Sequence, residues 1–490
     1  GIDGHVGLYV VHVPQTANIE IYGVNAGSRT GLDLPDTLWI QGFKNYSLGN
    51  NNGACGNITL TDLFITQRNG ADGGIGCYYG KQTPSSLTMR NCAMKSANYY
   101  EGTWIVKGMQ NVNLDHCYIN LVISPNWPGD LIHYCHSVTL TNGTEYILTY
   151  GSEHMGYAPF TVSRDNTDVK AKYKDAVFTI DNSSMSIATT FGSTKGITHG
   201  FDWMYDVVLT GSGSLTADRY LSLDTLVMKG SAKVTVGDDS HNGYLFCSDI
   251  TVEGSAELNA GYIAVSGFYT VVDPSERPYK KQGAQTEDAW RKEVANGTHI
   301  RDGGTLTMNG GTVNAKYFVG GDVNGRIIVN GGTLNAPRIG NLGAYLGILS
   351  LMPATDTEWC LFYEKVSAAG KAAVVDIYGG TVNVGENGYL GGMNASVNIH
   401  GGTVNLANGA VLGMTEAQKT TLADSYSITG DSIANHTDTN CNLAVTGGSV
   451  TGTGSINAPY GSVEVSEADA DTQVSVKDFT AESGTISIKN

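Results

Sequence analysis

The sequence predicts an all-β protein whose chain winds into a parallel β-helix, a solenoid of stacked coils. A ten-residue pattern of two alternating runs joined by two small residues recurs in the second half; the copies are VNIHGGTVNL from Val397, LTMNGGTVNA from Leu306, IIVNGGTLNA from Ile327, VDIYGGTVNV from Val375 and LAVTGGSVTG from Leu443. First glycines lie 21 residues apart at Gly310 and Gly331, and 22 apart at Gly379 and Gly401. Other copies are separated by about two such periods, and a fixed period of this length is typical of a solenoid.

Each copy of the repeat indicates two short strands with a bend between them. Val397 and Ile399 face one side and Asn398 faces the other, and after the glycines Val404 and Leu406 return to the first side. A period of two residues is the pattern of a β-strand with one buried face. The Gly-Gly pair allows backbone angles that other residues resist, so we expect a turn there.

The rest of the chain follows the same winding with different regularity. In residues 1–205, strand patterns begin at Ile58, Leu87, Val112 and Val138, which are 29, 25 and 26 residues apart, with long loops between them. Residues 206–266 are predicted to be tighter coils with Gly-Ser bends, 267–303 an inserted arm with a short helix, and 304–490 regular coils with Gly-Gly bends. Thr415 and Gln418 have the spacing of a helix capping box within a later insertion. We predict one continuous solenoid.

Composition limits the kind of partner that the chain can bind. The net charge is −17 and only 15% of residues are charged. This balance argues against binding to nucleic acid or to an anionic membrane surface. No run of 18 apolar residues occurs, so no membrane span is expected. Gly1 leads almost directly into the strand pattern GLYVVHV, so we expect a mature or trimmed product.

Cysteine usage favours a secreted or extracellular cell-surface location. The chain has eight cysteines, an even number that is compatible with disulfides outside the cytosol. Cys92 and Cys117 occupy the same place in successive coils, 25 residues apart. They either form a disulfide between stacked coils or stand as a ladder of buried thiols.

The coil period, the patterns ITLTDL from Ile58 and VNLDHC from Val112, and the Asn-rich turns resemble the pectin-lyase-like right-handed parallel β-helix superfamily. The GGTVN copies are most similar to adhesin-like repeats of large bacterial or archaeal surface proteins. The resemblance covers most of the chain, and it implies a right-handed, single-stranded β-helix. It does not select a function, because lyases, hydrolases, phage tail proteins and non-enzymatic adhesins share this architecture.

An enzyme of this fold would need carboxylates that converge on one glycosidic bond. Polygalacturonases of the superfamily carry Asn-Thr-Asp, Asp-Asp, Gly-His-Gly and Arg-Ile-Lys; the candidates here are Asp165, Asp168, Asp238, Asp239 and His199. Asn166-Thr167-Asp168 and Asp238-Asp239 are 70 residues apart, roughly three coils, whereas an acid and base pair lies within about 10 Å. No Arg-Ile-Lys follows. We expect no catalytic set, with a polysaccharide lyase or glycoside hydrolase as the alternative.

One segment resembles a calcium-binding loop. Asp238-Asp239-Ser240-His241-Asn242-Gly243, with Asp249 at the twelfth position, alternates oxygen ligands around a glycine turn. The candidate ligands are Asp238, Ser240, Asn242 and Asp249. Strands rather than helices flank the segment and Asp replaces the usual Glu, so the other interpretation is a polar loop. No other cofactor is expected.

Aromatic residues in the loops of the irregular half are candidate ligand-binding residues: Tyr99, Tyr100, Trp104, Trp127, Tyr157 and Trp203. Exposed aromatic rings can stack on sugars or bury against a protein partner. The other interpretation is that they cover the core beneath the loops.

Together these patterns favour a secreted, non-catalytic surface protein: an adhesin stalk, or a subunit of a self-assembling extracellular filament or sheath. Neither end has a recognisable polar cap, so either the ends stack on further copies or the chain is a piece cut from a longer protein. The expected partners are further copies stacked end to end, and glycans or host or cell-surface proteins. A phage-type receptor-binding spike is a further alternative.

Overall fold

The computed structural model describes residues 5–8, 11–14, 16–23, 37–40, 48–50, 55–67, 75–77, 83–96, 106–123, 132–133, 135–150, 160–161, 176–189, 206–218, 220–239, 242–265, 304–321, 325–341, 373–392, 395–418, 441–459, 461–466, 472–480 and 485–489. The chain forms two compact units, one of Gly1–His241 with Asp273–Ser275 and one of Asn242–Val272 with Glu276–Asn490.

The first unit consists of short strands. They are β1 (His5–Leu8), β2 (Val11–His12), β3 (Asn18–Tyr22), β4 (Thr37–Ile40), β5 (Leu48–Asn50), β6 (Asn57–Thr61), β7 (Phe64–Gln67), β8 (Ile75–Cys77), β9 (Thr83–Arg90), β10 (Ala93–Ser96), β11 (Val106–Lys107), β12 (Met109–Asp115), β13 (Tyr118–Ile123), β14 (Ile132–His133), β15 (Ser137–Thr141), β16 (Glu145–Tyr150), β17 (Phe160–Thr161), β18 (Val177–Asp181), β19 (Ser184–Thr189), β20 (Asp206–Thr210), β21 (Ser214–Ala217), β22 (Tyr220–Met228) and β23 (Lys233–Val236).

Parallel pairing arranges these strands in three ladders. The first ladder is β3-β6-β9-β12-β15-β18-β20-β22, the second is β1-β4-β7-β10-β13-β16-β19-β21-β23, and the third is β2-β5-β8-β11-β14-β17. In the first ladder Ile58 pairs with Leu87, Leu87 with Val112, and Val112 with Val138. The predicted register of these coils is therefore confirmed residue by residue.

The second unit has longer strands, several of which continue through a bend. They are β24 (Tyr244–Val252), β25 (Glu257–Val265), β26 (Thr305–Gly321), β27 (Arg326–Asn341), β28 (Ala373–Ile377), β29 (Thr381–Gly391), β30 (Ala395–Ile399), β31 (Thr403–Leu406), β32 (Val411–Gly413), β33 (Cys441–Val445), β34 (Ser449–Gly452), β35 (Ser455–Asn457), β36 (Ser462–Ser466), β37 (Gln473–Ser475), β38 (Asp478–Thr480) and β39 (Thr485–Lys489). One helical turn covers residues 416–418.

This unit also has three parallel ladders, and β26 and β27 contribute to all of them. The first ladder runs β24-β26-β27-β28-β30-β33-β36-β39, the second β25-β26-β27-β29-β31-β34-β37, and the third β24-β25-β26-β27-β29-β32-β35-β38. Leu306, Ile327, Val375, Val397 and Leu443 are consecutive partners in the first ladder. All the named strand pairs are parallel, which is compatible with the predicted β-helix.

The bend between the first and second ladders uses left-handed backbone in both units. In the first unit the φ angles are 46° to 56° at Asp62, Asn91, His116, Asn142 and Asn182. In the second unit they are 69° to 81° at the second glycine of each Gly-Gly pair: Gly311, Gly332, Gly380, Gly402 and Gly448. Glycine adopts this conformation freely, and Asn and Asp do so more readily than most residues. The predicted Gly-Gly bends are confirmed.

The core of each unit consists of apolar columns, one side chain per coil. In the first unit one such column, at most 1% exposed, is Ile58, Leu87, Val112, Val138, Phe178, Val207 and Leu226. In the second unit the corresponding column, at most 2% exposed, is Ile250, Leu306, Ile327, Val375, Val397, Leu443 and Val463. Each buried Val, Leu, Ile or Phe contributes about 1.5–3 kcal/mol to folding.

The capping box predicted at residues 415–418 is present. The Thr415 backbone N–H donates to Gln418 Oε1 at 2.9 Å, and the Gln418 backbone N–H donates to Thr415 Oγ1 at 3.2 Å. This reciprocal pair starts the helical turn at residues 416–418. The inserted arm predicted at 267–303 lies outside the described residues.

Candidate functional site

Most residues proposed from the sequence as ligand-binding or catalytic lie outside the described residues. These are Tyr99, Tyr100, Trp104, Trp127, Tyr157, Trp203, Asp165, Asp168 and His199. Asp238 and Asp239 are described; they follow β23 in the first unit and are exposed. The structure does not test whether these side chains converge, so their roles stay predictions.

The proposed calcium ligands are only partly described. Ser240 lies outside the described residues, and Asp238 belongs to the first unit. In the second unit Asn242 Oδ1 accepts a hydrogen bond from the Tyr317 hydroxyl at 2.9 Å, and Asp249 Oδ1 accepts one from the Thr305 backbone N–H at 3.1 Å. These oxygens already hold neighbouring chain segments together. Among the described residues, no group of three or more His, Cys, Asp or Glu side chains could hold a metal ion.

Cys92 and Cys117 are buried thiols in the structure. Cys92 Sγ donates to the carbonyl oxygens of Leu60 and Arg90 at 3.4 and 3.3 Å. Cys117 Sγ donates to those of Met89 and Asp115, both at 3.4 Å. Burial, with a smaller contribution from Cys117, raises the pKa of Cys92 to about 12. A disulfide between the two coils stays a prediction, because it requires an oxidation that changes these contacts.

The most regular polar feature of the second unit is a column of asparagines on the second ladder. Asn259, Asn314, Asn335, Asn383 and Asn405 occupy equivalent positions in successive coils. From Asn314 onward, each Nδ2 donates to Oδ1 of the asparagine one coil earlier, at 2.8, 2.7, 2.7 and 2.7 Å. The strand alternation turns these side chains outward, and the parallel register holds them directly above one another. We call this column the asparagine ladder.

Both ends of the asparagine ladder are satisfied, and all its hydrogen bonds point the same way. Asn259 Nδ2 donates to Glu257 Oε1 at 2.9 Å, so a carboxylate accepts the first bond. The Thr451 hydroxyl donates to Asn405 Oδ1 at 3.2 Å at the other end. Hydrogen bonds aligned in a chain polarise one another, so each strengthens the next. The ladder links six consecutive coils.

A groove with a volume of about 650 Å³ follows the asparagine ladder. Three columns line it: the ladder amides, the buried residues that follow them, and the residues of the next bend. The described lining residues are Asn259, Ala260, Asn314, Ala315, Lys316, Asn335, Ala336, Pro337, Asn383, Val384, Gly385, Asn405, Leu406 and Ala407. The groove therefore has a polar edge of amides and an apolar floor of small side chains.

The groove is almost uncharged. Lys316 is the one ionisable side chain among the described lining residues. Its Nζ lies 5.1 Å from the centre of the Tyr317 ring, a distance at which a cation is attracted to the aromatic face. Tyr317 in turn stacks on Tyr262 with ring centres 4.8 Å apart, and Tyr262 on Tyr244 at 4.7 Å. This tyrosine column lies next to one end of the groove.

A second polar cluster lies on the first ladder. Asp376 is 5% exposed and accepts from Arg326 Nη2 at 2.6 Å and from Asn398 Nδ2 at 2.9 Å. Two residues further along successive coils, Tyr378 stacks on His400 with ring centres 4.7 Å apart, and His400 Nδ1 lies 3.1 Å from Thr446 Oγ1. A buried carboxylate needs such partners, so Arg326 and Asn398 have a structural role here.

Sequence reasoning placed the asparagines on the outward face but did not identify the asparagine ladder or its groove. The signal was available, because the Asn of GGTVN or GGTLN recurs at 314, 335, 383 and 405. Stacking of coils at about 4.8 Å brings such equivalent amides within hydrogen-bonding distance. The sequence contains little that predicts the groove, because most of its floor consists of Ala, Gly and Pro, which also occur in ordinary turns.

Comparison with protein-family models, with curated proteins and with solved structures gives no match. Within the described chain, no helix has the length and apolar character needed to cross a membrane.

Proposed function

We propose that this chain is a secreted, non-catalytic structural protein of the cell surface. In this proposal it is a right-handed β-helical rod of the pectin-lyase-like type. It serves as an adhesin stalk or as a subunit of an extracellular filament or sheath. Parallel crossovers within one sheet are almost always right-handed, which supports this hand for the coils.

The observation that carries the proposal is the asparagine ladder. A catalytic groove is expected to break the repeat where acids and bases replace the regular side chains. The second unit instead repeats Thr and Asn on its second ladder, with Thr312, Thr333, Thr381 and Thr403 in register beside the asparagines. Stacked amides add a continuous set of side-chain hydrogen bonds to the backbone ladders. Such a surface favours mechanical continuity from coil to coil.

The last described strand, β39, carries two exposed apolar side chains that a further coil would cover. Ile486 and Ile488 of β39 are 44% and 71% exposed, although they occupy the positions that face the core in β36. Large exposed apolar side chains are typical of contact surfaces. In the filament version of the proposal, a coil of a second copy stacks against β39 and covers them.

Electron microscopy together with sedimentation velocity tests the self-association. We expect elongated particles that grow end to end as the protein concentration rises. Ile488→Lys should shift the population toward single particles, because burying an unpaired ammonium is costly. Ser487→Lys, which introduces the same charge one residue away on the opposite face, should associate like the parent chain. Dispersed single particles at every concentration would rule out the filament version.

Incubation with a panel of polysaccharides tests the non-catalytic part of the proposal. We expect no new reducing ends and no unsaturated uronides above the buffer control. Time-dependent release of either product by the purified chain would contradict a purely structural role.

A further inference from the structure

The groove beside the asparagine ladder has the shape and chemistry of a binding site for a linear polymer. We propose that it binds one neutral, unbranched glycan chain, which lies along the direction in which the coils stack. The inference deepens the proposed surface function by naming a partner, and it rests on that function only for the glycan's presence at the cell surface.

The ladder amides keep hydrogen-bonding capacity for a ligand. An asparagine side chain offers two N–H donors and two oxygen lone pairs. Within the ladder, Asn335 uses one donor toward Asn314 and accepts one bond from Asn383. With respect to the described residues, one N–H and one lone pair therefore remain, and the side chain is half-buried beside the groove. The same holds in each neighbouring coil, so donor and acceptor pairs recur along the groove.

The floor of the groove complements the apolar face of a sugar ring. Pro337 and Ala407, both half-buried, present methylene and methyl groups, and Gly385 presents bare backbone. A pyranose ring has apolar C–H faces and a hydroxyl-bearing edge. Binding sites commonly combine an apolar surface with a few placed polar groups. A sugar can therefore rest its ring face on the floor while its hydroxyls meet the amides.

The distance between successive asparagines of the ladder fits the repeat of an extended chain of sugars. From Asn259 to Asn405 the ladder makes four steps of about 4.8 Å, so the amide edge is about 19 Å long. One step is close to the advance of one sugar ring in an extended chain. Successive rings can therefore meet equivalent amides, which a compact ligand cannot do.

Two other occupants fit less well. A peptide cannot add as a strand, because β29 is already paired with both β27 and β31. An acidic polysaccharide would require cations along the groove, and Lys316 at one end is the one described lining residue that supplies a positive charge. The overall charge of −17 further opposes a polyanion.

Isothermal titration calorimetry of the full chain tests the proposal. The probes are linear hexasaccharides of β-linked glucose, N-acetylglucosamine and mannose, with hexagalacturonate as the acidic comparison. We expect saturable binding of at least one neutral hexasaccharide, at one chain per protein, and weaker or undetectable binding of the galacturonate. No binding of any neutral probe, or tighter binding of the galacturonate, would overturn the proposal.

A matched pair of variants locates the site. Ala407→Tyr fills the groove, whereas Ala444→Tyr makes the same change on the first ladder, away from the groove lining. We expect Ala407→Tyr to weaken binding by at least about tenfold and Ala444→Tyr to leave it unchanged. If Ala407→Tyr does not fold by circular dichroism, Ala407→Gln replaces it with the same expected direction. Equal affinity in the folded groove variant and the control would contradict the assignment.

The titration and the association experiments fail independently. A chain that binds the hexasaccharide as a monomer refutes the filament version and leaves the groove assignment intact. A chain that forms filaments without binding any neutral probe refutes the groove assignment and leaves the filament version intact.

Discussion

At the scale of single residues, one backbone position per coil decides whether the chain can turn from the first ladder to the second. The earlier coils of the first unit place Asp, Asn or His there, its later coils place Gly211 and Gly230, and the second unit places glycine. The space around left-handed glycines differs from one position to another. A Cβ on Gly402 would lie 2.7 Å from both the Gly379 carbonyl carbon and the Gly380 oxygen, whereas one on Gly143 would meet nothing nearer than His116 Nδ1 at 4.0 Å.

The matched substitutions Gly402→Ala and Gly143→Ala separate backbone strain from crowding. Both glycines have left-handed φ angles, 76° and 73°. Gly143→Ala should lower the free energy of unfolding by about 1–2 kcal/mol, the usual cost of that conformation for alanine. Gly402→Ala should cost about 2–5 kcal/mol, because backbone atoms must also move. Urea unfolding measures both, and equal losses would show that the coils are not packed this closely.

The buried thiols predict a loss of stability at alkaline pH. Burial raises the pKa of Cys441, like that of Cys92, from 9.0 to about 12. Between these pH values the unfolded chain loses the thiol proton and the folded chain keeps it, so the free energy of unfolding falls as pH rises. Below pH 9 the thiol is protonated in both the folded and the unfolded chain, so the stability that it contributes is fully present.

Unfolding curves at pH 8 and pH 11 measure this effect. Cys441→Ala is the comparison, and it should lose less stability between the two pH values than the parent chain. A parent and variant with identical pH dependence would mean that Cys441 does not titrate differently in the folded state.

At the scale of elements, the asparagine ladder makes neighbouring strands depend on one another. Asn383→Ala leaves Asn335 Oδ1 without its donor and Asn405 Nδ2 without its acceptor. Water reaches these half-buried groups in part, so we expect a loss of about 1–2 kcal/mol in the free energy of unfolding. Asn408→Ala, at an exposed turn, should stay within about 0.5 kcal/mol of the parent. Denaturant unfolding that finds both variants equally stable would contradict a cooperative ladder.

The elements differ in how far the sequence could predict them. The Gly-Gly copies and the pattern from Ile58 to Val138 fix the strand register, because repeats of buried Val, Leu and Ile reveal both period and face. The third ladder was not predicted as a separate feature. In the first unit its strands, such as β11 (Val106–Lys107) and β14 (Ile132–His133), are too short to show alternation. The groove depends on small residues and on stacking distance, which no local pattern encodes.

At the scale of the whole molecule, a solenoid tolerates the loss of one complete coil. Deletion of residues 381–402 joins Gly380 to Thr403, and these positions match because Thr381 and Thr403 are partners in the second ladder. We expect the variant to fold with the same circular dichroism spectrum and somewhat lower stability, since each repeat contacts mainly its neighbours. Deletion of residues 381–391, about half a coil, should abolish cooperative unfolding because it removes β29, so that β28 leads directly into β30 of the same ladder and this coil has no strand in the second and third ladders. Similar behaviour of the two deletions would argue against interchangeable coils.

The central claim is that equivalent residues of successive coils lie directly beside one another, and disulfide trapping measures this most directly. In Thr381→Cys/Thr403→Cys the two Cα atoms are strand partners at about 4.8 Å, within the range that a disulfide spans. In Thr381→Cys/Asn405→Cys they are about 8 Å apart, beyond that range. After mild oxidation and peptide mapping by mass spectrometry, we expect a 381–403 bridge in the first variant and none between the introduced cysteines in the second. Absence of the 381–403 bridge, or equal yields from the two variants, would contradict the coil register on which the fold and the groove depend.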